Sequence, residues 1–351
     1  MTDRDVALLE VSHLSTTFET QRGPLRAVDD VSLQLGAGET LGIVGESGSG
    51  KSVLVRSIMN ILGRRATISP ESRVVFDGRD TRALRMSEAR HFWGREIAMV
   101  FQDPMTSLNP VRKIGRQIVE PIRFHLGIDE RSATERAVSL LDRVGIPEAR
   151  RRLDEYPHQL SGGMRQRVTI AIAISCEPKL LVADEPTTAL DVTVQKQILD
   201  LLAELQEELG MSMILITHDL GVVAAYADRI AVMYAGRIVE RASAIELFEQ
   251  TRHPYTEALL RSIPRIEHES HTVLNAIRGR PPDMTARPTG CSFAPRCEHA
   301  RERCREDDPR LTDDGRGHEY ACFFPVSLST TTTPERTGPA GAPHRSPEGA
   351  R

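Results

Sequence analysis

No stretch of this 351-residue chain approaches the roughly 18 consecutive apolar residues that a membrane-crossing helix needs. Attachment to a membrane would therefore have to run through partners. A basic excess is also missing. The 45 Lys and Arg are outnumbered by 49 Asp and Glu, so the electrostatic footprint of a nucleic-acid binder is absent. The opening Met1-Thr2-Asp3-Arg4-Asp5 is polar and lacks a secretory apolar core, which points to the cytosol. No internal repeat is visible. Cysteine is scarce until late: there are five, and four of them fall between Cys291 and Cys322. In a reducing compartment such a cluster argues for metal rather than disulfide.

What is present alternates. Residues 6–18 and 28–35 read as a pair of strands, followed by strand, loop and helix over 40–62, and short strands at 73–77 and 96–101. Between 106 and 150 the apolar spacing turns helical (Ile114, Ile118, Ile122, then Ala137, Leu140, Leu141, Val144). Strand and helix then alternate again, with Leu180–Ala183 and Ser212–Thr217 as strands around a helix over Val194–Leu209. That order implies an α/β fold with a mainly parallel sheet. Tyr234-Ala235-Gly236 joins two apolar runs as a hairpin would. Beyond about 255 prolines and cysteines rise, and 329–351 is rich in Thr, Pro, Gly and Arg, the composition of a disordered tail.

The strongest signal is Gly45-Glu46-Ser47-Gly48-Ser49-Gly50-Lys51-Ser52, which fits G-x-x-x-x-G-K-[ST] between an apolar strand, Thr40–Val44, and a helical run. Gly45, Gly48 and Gly50 permit the backbone angles that aim N–H groups of the loop, Ser47 among them, at phosphates. Lys51 suits the β- and γ-phosphates, and Ser52 suits Mg²⁺. Leu180–Ala183 runs into Asp184 and Glu185. An acid at the carboxyl end of a buried strand beside such a loop can hold Mg²⁺, and Glu185, one residue on, can orient or deprotonate an attacking water.

These features describe a phosphate-loop ATPase of unspecified kind. Leu160-Ser161-Gly162-Gly163-Met164-Arg165-Gln166-Arg167, about twenty residues before Asp184, narrows it. Ser161, Gly162 and Gly163 open an amphipathic helix and offer a second anion site at its N-terminus. The segment resembles the signature of ATP-binding cassette (ABC) ATPases. The resemblance implies a phosphate-loop core with an antiparallel β-subdomain and a helical subdomain, and pairing of two cassettes so that the signature of one meets the γ-phosphate held by the other. It further implies that Gln102 senses Mg²⁺ and water, that Ala189-Leu190-Asp191 links the two sites, and that His218 is the switch histidine. Phe18 is the candidate for stacking on adenine, within a loop expected from Thr17 to Leu25. With Glu185 retained, ATP should be hydrolysed and not merely bound.

Three further segments resemble the dipeptide/oligopeptide and nickel importer group: Gln102-Asp103-Pro104-Met105-Thr106-Ser107-Leu108-Asn109-Pro110, His253-Pro254-Tyr255-Thr256-Glu257-Ala258-Leu259-Leu260, and Gly290-Cys291-Ser292-Phe293-Ala294-Pro295-Arg296-Cys297. The resemblance spans about residues 6–325. It implies a nucleotide-binding domain over 1–255, with its helical subdomain over about 105–165, and a cysteine-bearing C-terminal extension over 256–328. It implies the ATPase subunit of a peptide importer on the cytoplasmic face of the membrane. The partners would be a second ATPase subunit, two permease subunits and, indirectly, an external binding protein, with no nucleic acid. A nickel or other solute importer, or a non-transport ABC ATPase, are the alternatives.

Cys291, Cys297, Cys304 and Cys322 are separated by five, six and seventeen residues. Four thiolates can bind a [4Fe–4S] cluster or a tetrahedral zinc. Zinc knuckles favour closer spacing, and some members of the peptide-importer group carry an iron–sulfur cluster at this place. An unmetallated structural set is the third reading. Cys176, on an apolar helix face, reads as core.

Overall fold

The computed structural model describes residues 7–103, 107–188, 190–263 and 277–326, so the expected tail lies outside them. Two sheets organise the chain. The first is antiparallel: β1 (Leu9–Thr20) and β2 (Gly23–Leu35) form a long hairpin, joined by β4 (Ala66–Ile68), β5 (Arg73–Phe76) and β6 (Arg79–Asp80). The second holds β3 (Thr40–Val44), β7 (Ile97–Val100), β8 (Leu180–Asp184), β9 (Ser212–Thr217), β10 (Arg229–Tyr234), β11 (Arg237–Ser243), β12 (Thr312–Asp313) and β13 (Glu319–Tyr320). Its order is β12-β13-β11-β10-β3-β9-β8-β7, parallel from β10 to β7. No helix among the described residues is long and apolar enough to cross a membrane.

The parallel strands are apolar on both faces because both are covered. In β8, Leu180 and Val182 pack with Ile43, Ile214 and Ile216 and with Leu54, Val55 and Ile58 of the helix Lys51–Ile58. Leu181 and Ala183 point the other way, toward Leu215, Ile170, Ile198 and Leu202. The helical region expected over 106–150 is present as Ile114–Leu126, Glu130–Arg143 and the short Ala149–Arg152. Ile114, Ile118 and Ile122 form the buried stripe that meets Ala137, Leu140 and Leu141.

One sequence expectation moves. The first hairpin is longer than its apolar runs suggested. Phe18 lies inside β1, opposite Leu25 and Ala66, and not in a loop. Pairing with Pro24 and Gly23 of β2 holds polar Glu19 and Thr20 in the strand despite their weak β pattern. The C-terminal segment joins the main sheet. Its β13 pairs with β11 and extends the main sheet, while Tyr255 and Phe293 pack with Tyr234 of β10 in a third apolar cluster.

Candidate functional site at the carboxyl edge of the parallel strands

Strand register assembles this site. Val44 pairs with Thr217, Asp184 with Ile216, and Val100 with Ala183. The residues that follow these positions therefore leave the sheet along one edge. They are the glycine-rich loop from Gly45, His218, Glu185 and, after Phe101, Gln102. Parallel strands with crossover connections put such ends in one crevice.

The loop is moulded to its surroundings at two glycines. A Cβ on Gly45, at φ 154°, would stand 2.1 Å from the Met233 carbonyl oxygen, and one on Gly50, at φ 106°, would stand 2.3 Å from that of Ala27. No other residue fits there. Lys51, only 4% exposed, donates from Nζ to the carbonyls of Gly45 (2.7 Å) and Glu46 (3.1 Å). Burial pushes its pKa down, against the pull of Glu185, Asp184 and Glu46.

Asp184 is fully buried. Burial raises its pKa, opposed by the Ser52 hydroxyl, which donates to Oδ1 at 2.8 Å, and by Arg56, 3.7 Å from Oδ2. Oδ2 has no hydrogen-bond partner. A hydroxyl beside a dehydrated carboxylate with a free oxygen is an all-oxygen donor pair, the kind Mg²⁺ takes. Arg56 was not anticipated from sequence. Its position four residues after Ser52 puts the two on one helix face, a signal that was there to read.

Glu185 has φ 46°, a left-handed angle that costs a non-glycine residue on the order of 1 kcal/mol or more. Its N–H donates to the Ile216 carbonyl (3.0 Å), so the strained turn is anchored to the neighbouring strand. Gln102 donates from Nε2 to Glu185 Oε2 at 2.7 Å, and the Thr188 hydroxyl donates to the same oxygen at 3.0 Å. His218 Nδ1 lies 3.9 Å from Oε2, and its ring is largely exposed. Thr188, three residues on, is a second partner that sequence reasoning passed over. One carboxylate thus collects three groups from three strand ends, the geometry of a positioned general base.

Other expected residues lie apart. Ser161 caps the helix Gly162–Ile174, accepting from the Met164 N–H at 3.2 Å. Gly163 packs so closely on Val194 that a Cβ would come within 2.9 Å of it. Among the described residues, no hydrogen bond or ion pair joins Ser161, Gly162 or Gly163 to the phosphate loop of the same chain. Asp191 caps the next helix, Val192–Leu209, through the Val194 N–H (3.0 Å), whereas Ala189 lies outside the described residues.

Cys291, Cys297, Cys304 and Cys322 converge on one apolar pocket shared with Pro254, Ala294 and Phe323. All are free thiols. Burial pushes Cys291 up to about 11 and Cys322 up to about 12, and raises Cys297. The thiols share this pocket without an assembled metal shell. The pocket has room for about 20 Å³, on the scale of one water, and no group of three or more His, Cys, Asp or Glu among the described residues is set to hold a metal ion. The donors match four-thiolate chemistry in kind and number. Cys176 is a buried core residue, as expected.

Comparison with known proteins places this geometry. Residues 28–188 match the ABC transporter family model, and 239–304 match that of the oligopeptide/dipeptide transporter C-terminal region. A putative peptide import ATP-binding protein of Brucella melitensis is 50% identical over 326 residues, 90% of this chain and 96% of that protein. The dipeptide transport ATP-binding protein DppD of Escherichia coli is 49% identical over 92% of this chain and 98% of its own length. The chain belongs to the ABC transporter ATP-binding family. Among solved ABC cassettes, the dimeric post-hydrolysis state of MJ0796 bound to ADP and Pi superimposes with a TM-score of 0.60 at 28% identity, covering 67% of this chain and 98% of that one. CbiO1 from Clostridium perfringens, part of the transporter complex cbiONQ, gives 0.57 at 31%, covering 69% and 90%. ATP binding and hydrolysis follow for this ABC ATPase. The C-terminal model begins within β11.

Proposed function

We propose that this chain is the ATP-hydrolysing subunit that powers import of di- or oligopeptides through an ABC transporter at the cytoplasmic face of the membrane. The observation that carries the reading is the convergence of Gln102, Thr188 and His218 on Glu185, beside Lys51, Ser52 and Asp184. The peptide solute is supported by the two named relatives above and by the C-terminal region shared with oligopeptide transporters.

In this reading Ser47, Gly48 and Gly50 of the loop present N–H groups to the phosphates, and the Lys51 ammonium turns from its two carbonyls to them. Ser52 and Asp184, with Gln102 nearby, would hold Mg²⁺, which neutralises phosphate charge when bound. Glu185 orients and deprotonates water, and Gln102 and Thr188 keep its carboxylate aimed. His218, exposed at the same edge, reaches the γ-phosphate. Phe18, half-buried in β1, remains the candidate for adenine. Ser161, Gly162 and Gly163 act on the nucleotide of a second, identical or homologous cassette, a reading supported by the Ser161 hydroxyl capping its own helix and by no hydrogen bond, among the described residues, joining the three to their own phosphate loop. Two permease subunits receive the closure of this pair, and a binding protein delivers solute outside. The nucleotide-binding unit takes residues 1–255 and the extension 256–328.

For the four cysteines we propose a [4Fe–4S] cluster, with Cys291, Cys297, Cys304 and Cys322 as ligands and zinc as the alternative. Iron and acid-labile sulfide in anaerobically purified protein support it, and stoichiometric zinc without iron replaces it. Transport itself is tested in proteoliposomes holding this chain with the permeases encoded beside it. ATP-driven uptake of a labelled dipeptide is expected, and uptake of nickel instead of peptide would overturn the solute.

A further inference from the structure

Glu46, second in the phosphate loop, is gripped from a segment 250 residues away in sequence. Arg296 stands in the turn Ala294–Arg296 with its side chain 3% exposed. Its Nη1 donates to Glu46 Oε2 at 2.6 Å and its Nη2 to Oε1 at 2.9 Å, a two-pronged fork. The remaining bonds fix the guanidinium: Nε donates to the Arg278 carbonyl (3.0 Å), Nη2 reaches that of Ile277 (3.4 Å), and Nη1 the Tyr234 hydroxyl (3.4 Å).

The backbone of the same residue is held too. The Glu46 N–H donates to the Tyr255 hydroxyl at 2.8 Å, and Tyr255 is fully buried against Tyr234 and Phe293. Further along the loop, the Gly236 N–H donates to the Ser49 carbonyl (2.8 Å), and Arg287 holds the neighbouring Ala235 carbonyl while pairing with Asp29. The C-terminal segment therefore touches the loop at its entry directly and backs it at Ser49 through the β10–β11 turn.

We propose that Arg296 of the C-terminal extension, with Tyr255 at the boundary before it, is a positioning clamp that sets the shape of the phosphate loop and so its affinity for nucleotide. The Glu46 N–H is turned away from the phosphate side by its bond to Tyr255. The amides that follow it keep the concave arrangement an anion needs. Removing the fork leaves a carboxylate at the mouth of an anion site without its counter-charge. That both frees the loop and repels phosphate.

The inference rests on the nucleotide-site reading, and one titration separates the two. A fluorescent ATP analogue is titrated into the isolated full chain and its variants, each first checked for a native circular dichroism spectrum and for a melting point above the assay temperature. Arg296→Ala is expected to weaken binding about tenfold, the scale of a lost charge-assisted contact. Arg296→Lys, which keeps the charge and loses the fork, should fall between. Tyr255→Phe should weaken it by about threefold, and remains readable if Arg296→Ala fails to fold. The double variant Glu46→Ala/Arg296→Ala should bind no worse than Arg296→Ala. Arg303→Ala, on the same extension but paired with Asp307 at the surface, should match wild type. Wild-type affinity in Arg296→Ala with a lowered melting point, or additive losses in the double variant, overturns the clamp. Absence of binding in wild type, or no effect of Lys51→Ala, overturns the nucleotide site instead.

Discussion

The nucleotide edge gathers side chains from Lys51 to His218 and the cysteine pocket from Cys291 to Cys322, yet the wider span is assembled and the narrower only gathered. At the nucleotide edge, four parallel strands in fixed register deliver Lys51, Gln102, Glu185 and His218, and backbone hydrogen bonds set their spacing before any ligand arrives. The cysteines come from a short turn, a five-residue helix and the chain after a two-residue strand. Backbone bonds tie these pieces together, Cys291 N–H to the Cys304 carbonyl at 2.9 Å among them, but no common strand register sets the side-chain angles, so the sulfurs share an apolar pocket without forming a shell. Regular backbone pre-organises polar chemistry, and irregular backbone leaves that task to the ligand.

The largest expected effect tests the assembled side. Glu185→Gln should lower turnover by about 10²–10⁴-fold while retaining ATP binding and accumulating a closed dimer. Phosphate release and size-exclusion chromatography measure both, and wild-type turnover would remove Glu185 as the base. Lys51→Ala should reduce hydrolysis by about 10²–10³-fold, as for loss of one charge-stabilising donor, read as kcat/KM for ATP. On the gathered side, the sign follows from the raised thiols. Neutral sulfur is favoured up to about 11 at Cys291 and about 12 at Cys322, so a cation must displace protons and its affinity must rise with pH. Competition with a chelator at mildly acid and mildly alkaline pH should show a gain of roughly tenfold per pH unit for each proton displaced. A flat profile would mean the thiols are ionised beforehand, and the contrast between the regions would fail. The smallest effect lies at the signature. Ser161→Ala should cost about 1 kcal/mol of stability by loss of its cap, and more in ATP-dependent dimerisation than in the binding of ATP by one chain. Equal losses in both would place Ser161 in its own chain's site.

Much of the assembled region was legible from the sequence because its signals are local. The phosphate loop, the acids ending Leu180–Asp184 and the glycines after Ser161 each sit at the boundary of an element whose period can be read. Arg56 and Thr188 were legible in principle at helical and turn spacing from Ser52 and Glu185. The extent of β1 was not. Polar Glu19 and Thr20 are strand only because β2 lies opposite, and Phe18 went with them. Nor could Arg296 be read. It is a charged residue in a cysteine-rich turn until β10 and the helix Pro254–Arg261 bring Glu46 beside it.

By itself, then, the sequence determined which chemistry this chain carries, since the residue types and their spacing within each element are covalent facts that survive any arrangement of the rest. The tertiary structure decided who acts on whom. Gln102 and Thr188 converge on one Glu185 oxygen, Ser161 caps its own helix, and Arg296 closes on Glu46. Those pairings depend on strand register and on buried contacts across the whole chain, and neither has a local period to betray it.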